Sequence, residues 1–239
     1  MKNLLSQADY ENWSIALDAL PDDPANLMDW VEGPLRVFFP FKSIYCAYAE
    51  ITLGQIKVPE SISSGHDSRY LDQIDSIFDM RHRGELVNWL KTRRPFFIEP
   101  TAPGQYTSEF ELNEIQSFNL RNVVAHGIIG INSTNGTYFS FSGIDGVVSK
   151  YHSECMKLIC PVLHDLFIRN ISQKKFSVEK SFFLTEKEKA IARLVADGLD
   201  DKSIANKINI SEKTVRNQLS LIYAKMQAHK RTQLIRMIR

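Results

Sequence analysis

Cysteine and long apolar runs are what this 239-residue sequence has least of. Its three cysteines, Cys46, Cys155 and Cys160, are too few and too scattered for a disulfide framework. No apolar run approaches the roughly 20 residues that span a bilayer. Residues 1–7 turn polar at once and lack the apolar block of a signal peptide. The sequence therefore predicts a cytoplasmic protein without a membrane span.

An overall charge of one sign is also lacking, because the net charge is only +1. The distribution of charge is uneven, however. Residues 1–170 hold 14 basic and 21 acidic side chains, whereas residues 171–239 hold 15 and 7, so the two parts carry −7 and +8. A small basic module behind a larger acidic one is expected where only one part contacts a polyanion.

The first 170 residues mix strand and helix patterns. The predicted strands are 43–51, 55–62, 95–98, 121–131 and 137–141, and the main predicted helices are 8–20, 83–92, 109–118 and 150–170. Asn135-Gly136 predicts a tight type I′ turn between the last two strands. Helices flanking an antiparallel sheet of about five strands give an α+β domain, and this order resembles GAF/PAS-type sensory domains. We expect the long last helix to be the dimer element.

A composition change follows this domain. Residues 171–183 are polar and basic without a sustained period, which predicts a linker. The organisation expected is therefore a sensory or dimerisation domain at 1–170, the linker, and a second domain at 184–239.

The last 56 residues read as helix throughout, and their capping residues predict the boundaries. Thr185 with Glu188 is a capping box, and Gly198 suits the position after a helix C-terminus. Asn209 tolerates the left-handed conformation of a tight turn, and Ser211 suits the N-cap of a third helix. We therefore expect an all-α four-helix domain.

Helices two and three of this domain predict a helix-turn-helix. In the third helix, one stripe is apolar and the opposite stripe is basic, amide-bearing and small. Arginine and asparagine can bond guanine and adenine edges, hydroxyls suit phosphate oxygens, and lysines add sequence-independent affinity. The predicted DNA-binding residues are Lys202, Ser211, Lys213, Thr214, Arg216, Asn217, Ser220, Lys225 and Arg231. The alternative is a solvated basic helix of an interaction module.

Motifs along these helices resemble a known family. They are Leu184-Thr185 with Glu188, Leu194-Val195-Ala196 with Gly198, Lys202 with Ile204-Ala205, Ile210-Ser211, Thr214-Val215-Arg216, Lys225-Met226 and Arg231. Together they are similar to the DNA-binding domain of LuxR-type transcriptional regulators. The resemblance implies double-stranded DNA as a partner, a homodimer through the fourth helix and a pseudo-palindromic operator.

The first domain carries a second resemblance. Trp89-Leu90 with Arg94-Pro95, and Arg121 to Gly127 running into Phe139-Ser140-Phe141, are similar to EpsA-type regulators associated with exopolysaccharide gene clusters. This implies control of polysaccharide genes through an effector that the resemblance does not name.

A pocket for an unknown small-molecule effector is the candidate site of the first domain. Aromatic residues and a histidine in its apolar segments predict the lining, with Tyr48, Trp89, His126 and Phe139 as candidates. An acyl-homoserine-lactone domain has a similar topology. The spacing of Tyr70, Asp72, Asp75 and Trp89 does not match that family's pocket, and no cofactor is expected.

Other chemistries are disfavoured. A phospho-acceptor receiver would place paired acids after a strand, whereas Asp22-Asp23 follow a helix, and a GxxxxGK[ST] loop for ATP is missing. Cys46 with His126 lacks a third orienting group, so we expect no enzyme.

A metal site on the helix carrying His152, Cys155, Cys160 and His164 lacks a second ligand pair, so none is expected. Two rivals stay open: a ligand-independent regulator or scaffold whose first domain binds a partner protein, and an enzyme with a DNA-targeting tail.

Overall fold

The computed structural model describes residues 4–52, 55–73, 80–130, 133–181 and 184–238. Contacts divide the chain into two compact units, residues 1–168 (unit 1) and residues 169–239 (unit 2). Across the described ranges, no helix has both the length and the apolar character needed to cross a bilayer.

Unit 1 is built on a five-stranded antiparallel sheet with the order β2-β1-β5-β4-β3. The strands are β1 (Ser43–Thr52), β2 (Gln55–Ser64), β3 (Phe96–Ile98), β4 (Asn122–Ile129) and β5 (Asn135–Ile144). Their β-branched and aromatic residues fit a pleated surface whose side chains alternate between two faces. The predicted antiparallel sheet is confirmed.

The hairpin between β4 and β5 turns earlier than the sequence predicts. Asn135 and Gly136 are the first residues of β5, and Gly136 pairs with Ile129. Glycine is required there because a Cβ would lie 2.7 Å from the carbonyl oxygen of Ile128. The left-handed conformation near the turn belongs to Ser133, at φ 54°. The turn prediction was wrong because a glycine needed for close backbone approach looks the same in sequence as a turn glycine.

Helices cover both faces of the sheet. They are α1 (Gln7–Asp18), α2 (Leu27–Trp30), α3 (Arg36–Phe38), α4 (Ser68–Leu71), α5 (Gly84–Thr92), α6 (Glu109–Ser117) and α7 (Lys150–Ser181). One face carries Phe139 and Phe141, which contact Phe167 of α7 and Phe39 with ring centroids 6.1 and 5.3 Å apart. Residues of α4, α5 and α6 cover the other face, and they include Tyr70, Leu86 and Ile115. The predicted α+β architecture is confirmed.

Helix α7 differs from its prediction at its C-terminal end. It continues to Ser181 rather than ending at Asn170, so the segment expected to be a linker is helical up to that residue. Residues 171–181 contain neither proline nor glycine, and several are good helix formers, which favours this extension. Within the apolar stripe that motivated the dimer hypothesis, Cys155, Ile159 and Leu163 are fully buried, whereas Leu158 and Val162 are half-buried. The role of α7 as the dimer element stays a prediction.

Unit 2 contains four shorter helices, as the sequence predicts. They are α8 (Glu186–Ala196), α9 (Asp201–Lys207), α10 (Glu212–Met226) and α11 (Arg231–Ile238). The capping box of Thr185 with Glu188 is present, and Gly198 follows the end of α8 at φ 85°. Asp200 and Ser211 cap α9 and α10. The predicted all-α helix-turn-helix domain is confirmed.

Candidate nucleic-acid interface and ligand cavity

A cavity of about 40 Å³ with a mixed polar and apolar wall lies beside the sheet in unit 1, and Arg83 and Glu114 are among its polar lining residues. Arg83, which precedes α5, donates from Nη1 and Nη2 to the two carboxylate oxygens of Glu114 on α6, both at 2.6 Å. The two side chains are only 7% and 8% exposed. Burial raises the pKa of Glu111 in the same wall. Breaking this buried, two-pronged ion pair is costly, because either ion alone would be desolvated without its partner.

A second, apolar cavity of about 20 Å³ adjoins the first, and Leu86 and Tyr138 line both. Ile56, Trp89 and Leu90 complete much of its wall. A water molecule needs roughly 10–15 Å³ of such space, so the two cavities hold a few waters at most. Any larger ligand requires side chains of the wall to move.

The four predicted ligand residues do not share a pocket. Trp89 lines the second of these two cavities, and the other three residues line neither of the two. Phe139 is fully buried on the opposite face of the sheet. His126 stands directly across from Phe139 in the strand register, and Tyr48 lies on the same face. Side chains alternate between the two faces along a strand, so apolar character alone does not show which face a residue lines. The ligand-binding role of these four residues stays a prediction.

The ring of His126 is partly buried and accepts a hydrogen bond from another side chain. The indole nitrogen Nε1 of Trp89 donates to its Nδ1 at 3.1 Å. Burial, together with the charge of Lys157, lowers the pKa of His126 to about 4, so the ring is neutral at physiological pH.

The four residues weighed as a metal site on α7 face different surroundings. Cys155 and Cys160 are fully buried, whereas Nδ1 of His164 lies 2.8 Å from Oγ1 of Thr137 on β5. Nδ1 of His152 accepts from the backbone amide of Ser149.

In unit 2, a tight turn joins α9 to α10. Asn209 takes the left-handed conformation at φ 55°, and the amide of Ile210 donates to the carbonyl of Ala205 at 3.0 Å. Ser211 then caps α10, its hydroxyl accepting from the amide of Thr214 at 3.1 Å. These local bonds fix the direction in which α10 leaves the turn.

Helix α10 has a buried and an exposed face. The buried residues are Val215, Leu219, Ile222 and Met226. The exposed residues of the opposite face include Lys213, Arg216, Asn217 and Ser220, as the sequence predicts. Lys202 is exposed in the first turn of α9. The burial of the apolar stripe leaves the basic and amide-bearing stripe outward.

Several polar groups of α10 also bond within the helix. The hydroxyl of Ser220 donates to the carbonyl of Arg216 at 3.1 Å, and the hydroxyls of Ser211 and Thr214 lie 2.8 Å apart. Nη2 of Arg216 lies 4.0 Å from a carboxylate oxygen of Glu212, one turn earlier. The Ser220 hydroxyl therefore presents acceptor lone pairs outward rather than a donor.

Two of the predicted DNA-binding residues are ion-paired inside unit 2. Nζ of Lys225 lies 2.7 Å from both carboxylate oxygens of Glu188, whose side chain is only 5% exposed. Arg231 donates to Asp201 at 2.7 Å and also to the carbonyl of Leu199. Both side chains therefore have acidic partners inside unit 2, and their role as DNA contacts stays a prediction.

Residues 183–238, which contain this helix-turn-helix, match the family described as bacterial regulatory proteins, luxR family. Unit 2 is therefore similar to the domain of this family. The transcriptional regulatory proteins YdfI and DesR of Bacillus subtilis (strain 168) are each 42% identical to this chain over 52 residues. That stretch is 22% of this chain and 24% and 26% of the two relatives, so the chain matches about a quarter of the length of each.

About two thirds of this chain shares its fold with a solved structure. It is the crystal structure of the N-acylhomoserine lactone dependent LuxR family transcription factor CepR2 from Burkholderia cenocepacia. The TM-score is 0.50 at 12% identity, covering 67% of this chain and 93% of that chain. This confirms the predicted autoinducer-domain-like architecture at the level of the fold.

Sequence analysis missed the polar residues of the first cavity. Arg83 and Glu114 are 31 residues apart, and no short-range pattern joins them. It also missed Leu221, which is 51% exposed on α10 of the luxR-family domain. A helical wheel would have placed this leucine outside the buried stripe, so the signal was present.

Proposed function

We propose that this chain is a sequence-specific, DNA-binding transcriptional regulator of the cytoplasm. It acts as a homodimer whose two α10 helices enter the major groove at the halves of a pseudo-palindromic operator. The observation that carries this is the exposed basic and amide-bearing face of α10 within a luxR-family domain. The opposite face is buried, so only this face is offered to a partner.

The residues of this face divide into two roles. Arg216 and Asn217 hydrogen-bond base edges, since a guanidinium suits guanine and a carboxamide suits adenine. Lys202 and Lys213 contact phosphates, as do the amides of the first turn of α10 beside Ser211.

Selection from a random-sequence DNA library with the full chain tests this division. Arg216→Ala and Asn217→Ala should each relax the base preference at one position per half-site. Lys202→Ala should weaken binding to all sequences about evenly and leave the preference unchanged. Equal effects of all three variants would contradict the division, and the absence of any selected site would contradict the function.

For unit 1, we propose an effector site at the two adjoining cavities beneath Leu86 and Tyr138. Their polar and apolar walls suit a ligand with one polar and one apolar end. The EpsA-type resemblance at Trp89-Leu90 and Arg121 to Gly127 supports exopolysaccharide genes as the target. Operators mapped upstream of such genes in the organism's own genome would support this, and a map without them would contradict it.

The second candidate is a ligand-independent regulator whose unit 1 binds a partner protein. The small size of both cavities favours it. Native mass spectrometry of the full chain purified from its own host separates the two. A bound small organic mass supports the effector site, and its absence with a co-purifying protein supports the second candidate.

A further inference from the structure

Leu221 is a large apolar side chain on the proposed DNA face of α10. It is 51% exposed, four residues after Asn217 and three before Ala224. At 100° per residue, Asn217, Ala224 and Leu221 fall within one narrow sector of the helix, opposite the buried stripe. A leucine there keeps apolar surface in water unless a partner covers it.

The exposed face of α10 changes character along its length. Its N-terminal half carries the hydrogen-bond donors of Lys213, Arg216 and Asn217. In the C-terminal half, the hydroxyl proton of Ser220 is used by the carbonyl of Arg216, and Leu221 has no polar side-chain atom. Leu221 can therefore meet a partner in this half only by apolar contact.

The major groove of DNA offers one apolar group, the C5-methyl of thymine. We propose that Leu221 contacts a thymine C5-methyl and specifies a T·A pair in each half-site. Four residues of helix advance about 6 Å, and base pairs are about 3.4 Å apart. The thymine is therefore expected within about two base pairs of the pair that Asn217 contacts. This inference rests on the proposed DNA-binding function.

The surroundings of Leu221 favour DNA over a protein partner. Ser220 and Ala224 beside it are small, and the same face carries the cationic Lys213 and Arg216. A protein contact would need a wider apolar patch to exclude water, whereas a single methyl group needs only one apolar side chain. The positive charges suit a polyanion.

Replacement of thymine by deoxyuridine tests the contact, because it removes only the C5-methyl. The site is the one selected by the wild-type full chain, with each thymine replaced in turn. Binding is compared for wild type, Leu221→Ala, Leu221→Met and the control Ile15→Ala. The control removes an apolar side chain of unit 1 that is 65% exposed. Thermal unfolding of each variant checks that the fold is intact.

We expect one position per half-site at which deoxyuridine weakens wild-type binding about fourfold, as for the loss of one buried methyl. Leu221→Ala should abolish this dependence and leave the other positions unchanged, while Leu221→Met and Ile15→Ala should keep it. The inference would be overturned if wild-type binding were insensitive to deoxyuridine, or if Leu221→Ala were as sensitive to deoxyuridine as wild type. Either result would leave the proposed DNA-binding function standing. Failure to select any site would overturn the proposed function as well.

Discussion

The ion pair of Lys225 with Glu188 predicts a stability effect rather than a DNA effect. Lys225→Met removes the charge and keeps most of the aliphatic side chain. Its ammonium lies 2.7 Å from both oxygens of a carboxylate that is 5% exposed, and hydrogen bonds to charged groups contribute roughly 1.5–3 kcal/mol. Because Lys225 itself is 37% exposed, solvent screening reduces this to about 1 kcal/mol.

Hydrogen exchange of the full chain, followed by mass spectrometry on peptides of α8 and α10, measures this loss. A change of about 1 kcal/mol corresponds to roughly fivefold faster exchange where opening is reversible and rapid. Lys213→Met is the matched control, since it makes the same change on the exposed face of the same helix. This variant should leave hydrogen exchange unchanged. It should weaken DNA binding, and the slope of the logarithm of the binding constant against the logarithm of the salt concentration should become shallower by about one.

The pH dependence provides a second check on the pair. The hydrogen bond from Lys225, followed by that from the Thr185 amide, lowers the pKa of Glu188 below its ordinary value of 4.5. Its contribution is therefore complete above pH 4.5 and is lost as the pH falls through the folded-state pKa. The difference between wild type and Lys225→Met should vanish over that range. Unchanged exchange in Lys225→Met, together with weaker binding to every DNA sequence, would refute the assignment.

Three further outcomes follow from the same structure. Glu212→Gln removes a negative charge 4.0 Å from Arg216, so DNA affinity should rise a few-fold at low salt in anisotropy titrations; weaker binding would contradict this. Glu114→Gln leaves the buried Arg83 without its counter-ion, so the free energy of unfolding of unit 1 should fall by about 3–5 kcal/mol. Urea unfolding followed by tryptophan fluorescence measures this fall. A fall below about 1 kcal/mol would show that water replaces the carboxylate as the partner of Arg83. The folded-state pKa of His126 is about 4, so the neutral ring contributes fully to the stability of unit 1 above about pH 6.5, and this contribution falls as the pH drops toward 4. His126→Gln should flatten the dependence of the unfolding free energy on pH between about 4 and 6.5. An unchanged dependence would contradict the role of the neutral histidine.

Local signals explain why unit 2 could be predicted closely. The capping residues Thr185, Asp200 and Ser211 and the left-handed Asn209 act within three or four residues of themselves. Such bonds join residues that are close in sequence, so a short sequence pattern indicates them directly. The buried stripe of α10 follows from helical periodicity in the same way.

The features that the sequence does not indicate depend on contacts between residues far apart in the chain. Lys225 meets Glu188 across 37 residues, and Arg83 meets Glu114 across 31. Neither pairing leaves a periodic trace, so a basic residue held in an ion pair looks the same in sequence as one that contacts phosphate. Phe139 shows the same limit, because its strand was predicted and the face on which its ring packs was not.

Enrichment of the organism's own fragmented genome with the full chain, at near-physiological salt, tests the central claim most directly. The matched protein is the double variant Arg216→Ala with Asn217→Ala, whose changes lie on the exposed face of α10 and leave its buried stripe intact. The account predicts that wild type enriches one two-fold-symmetric sequence and that the double variant loses it while keeping weak binding to DNA in general. Equal enrichment by both proteins, or none by wild type, would contradict it.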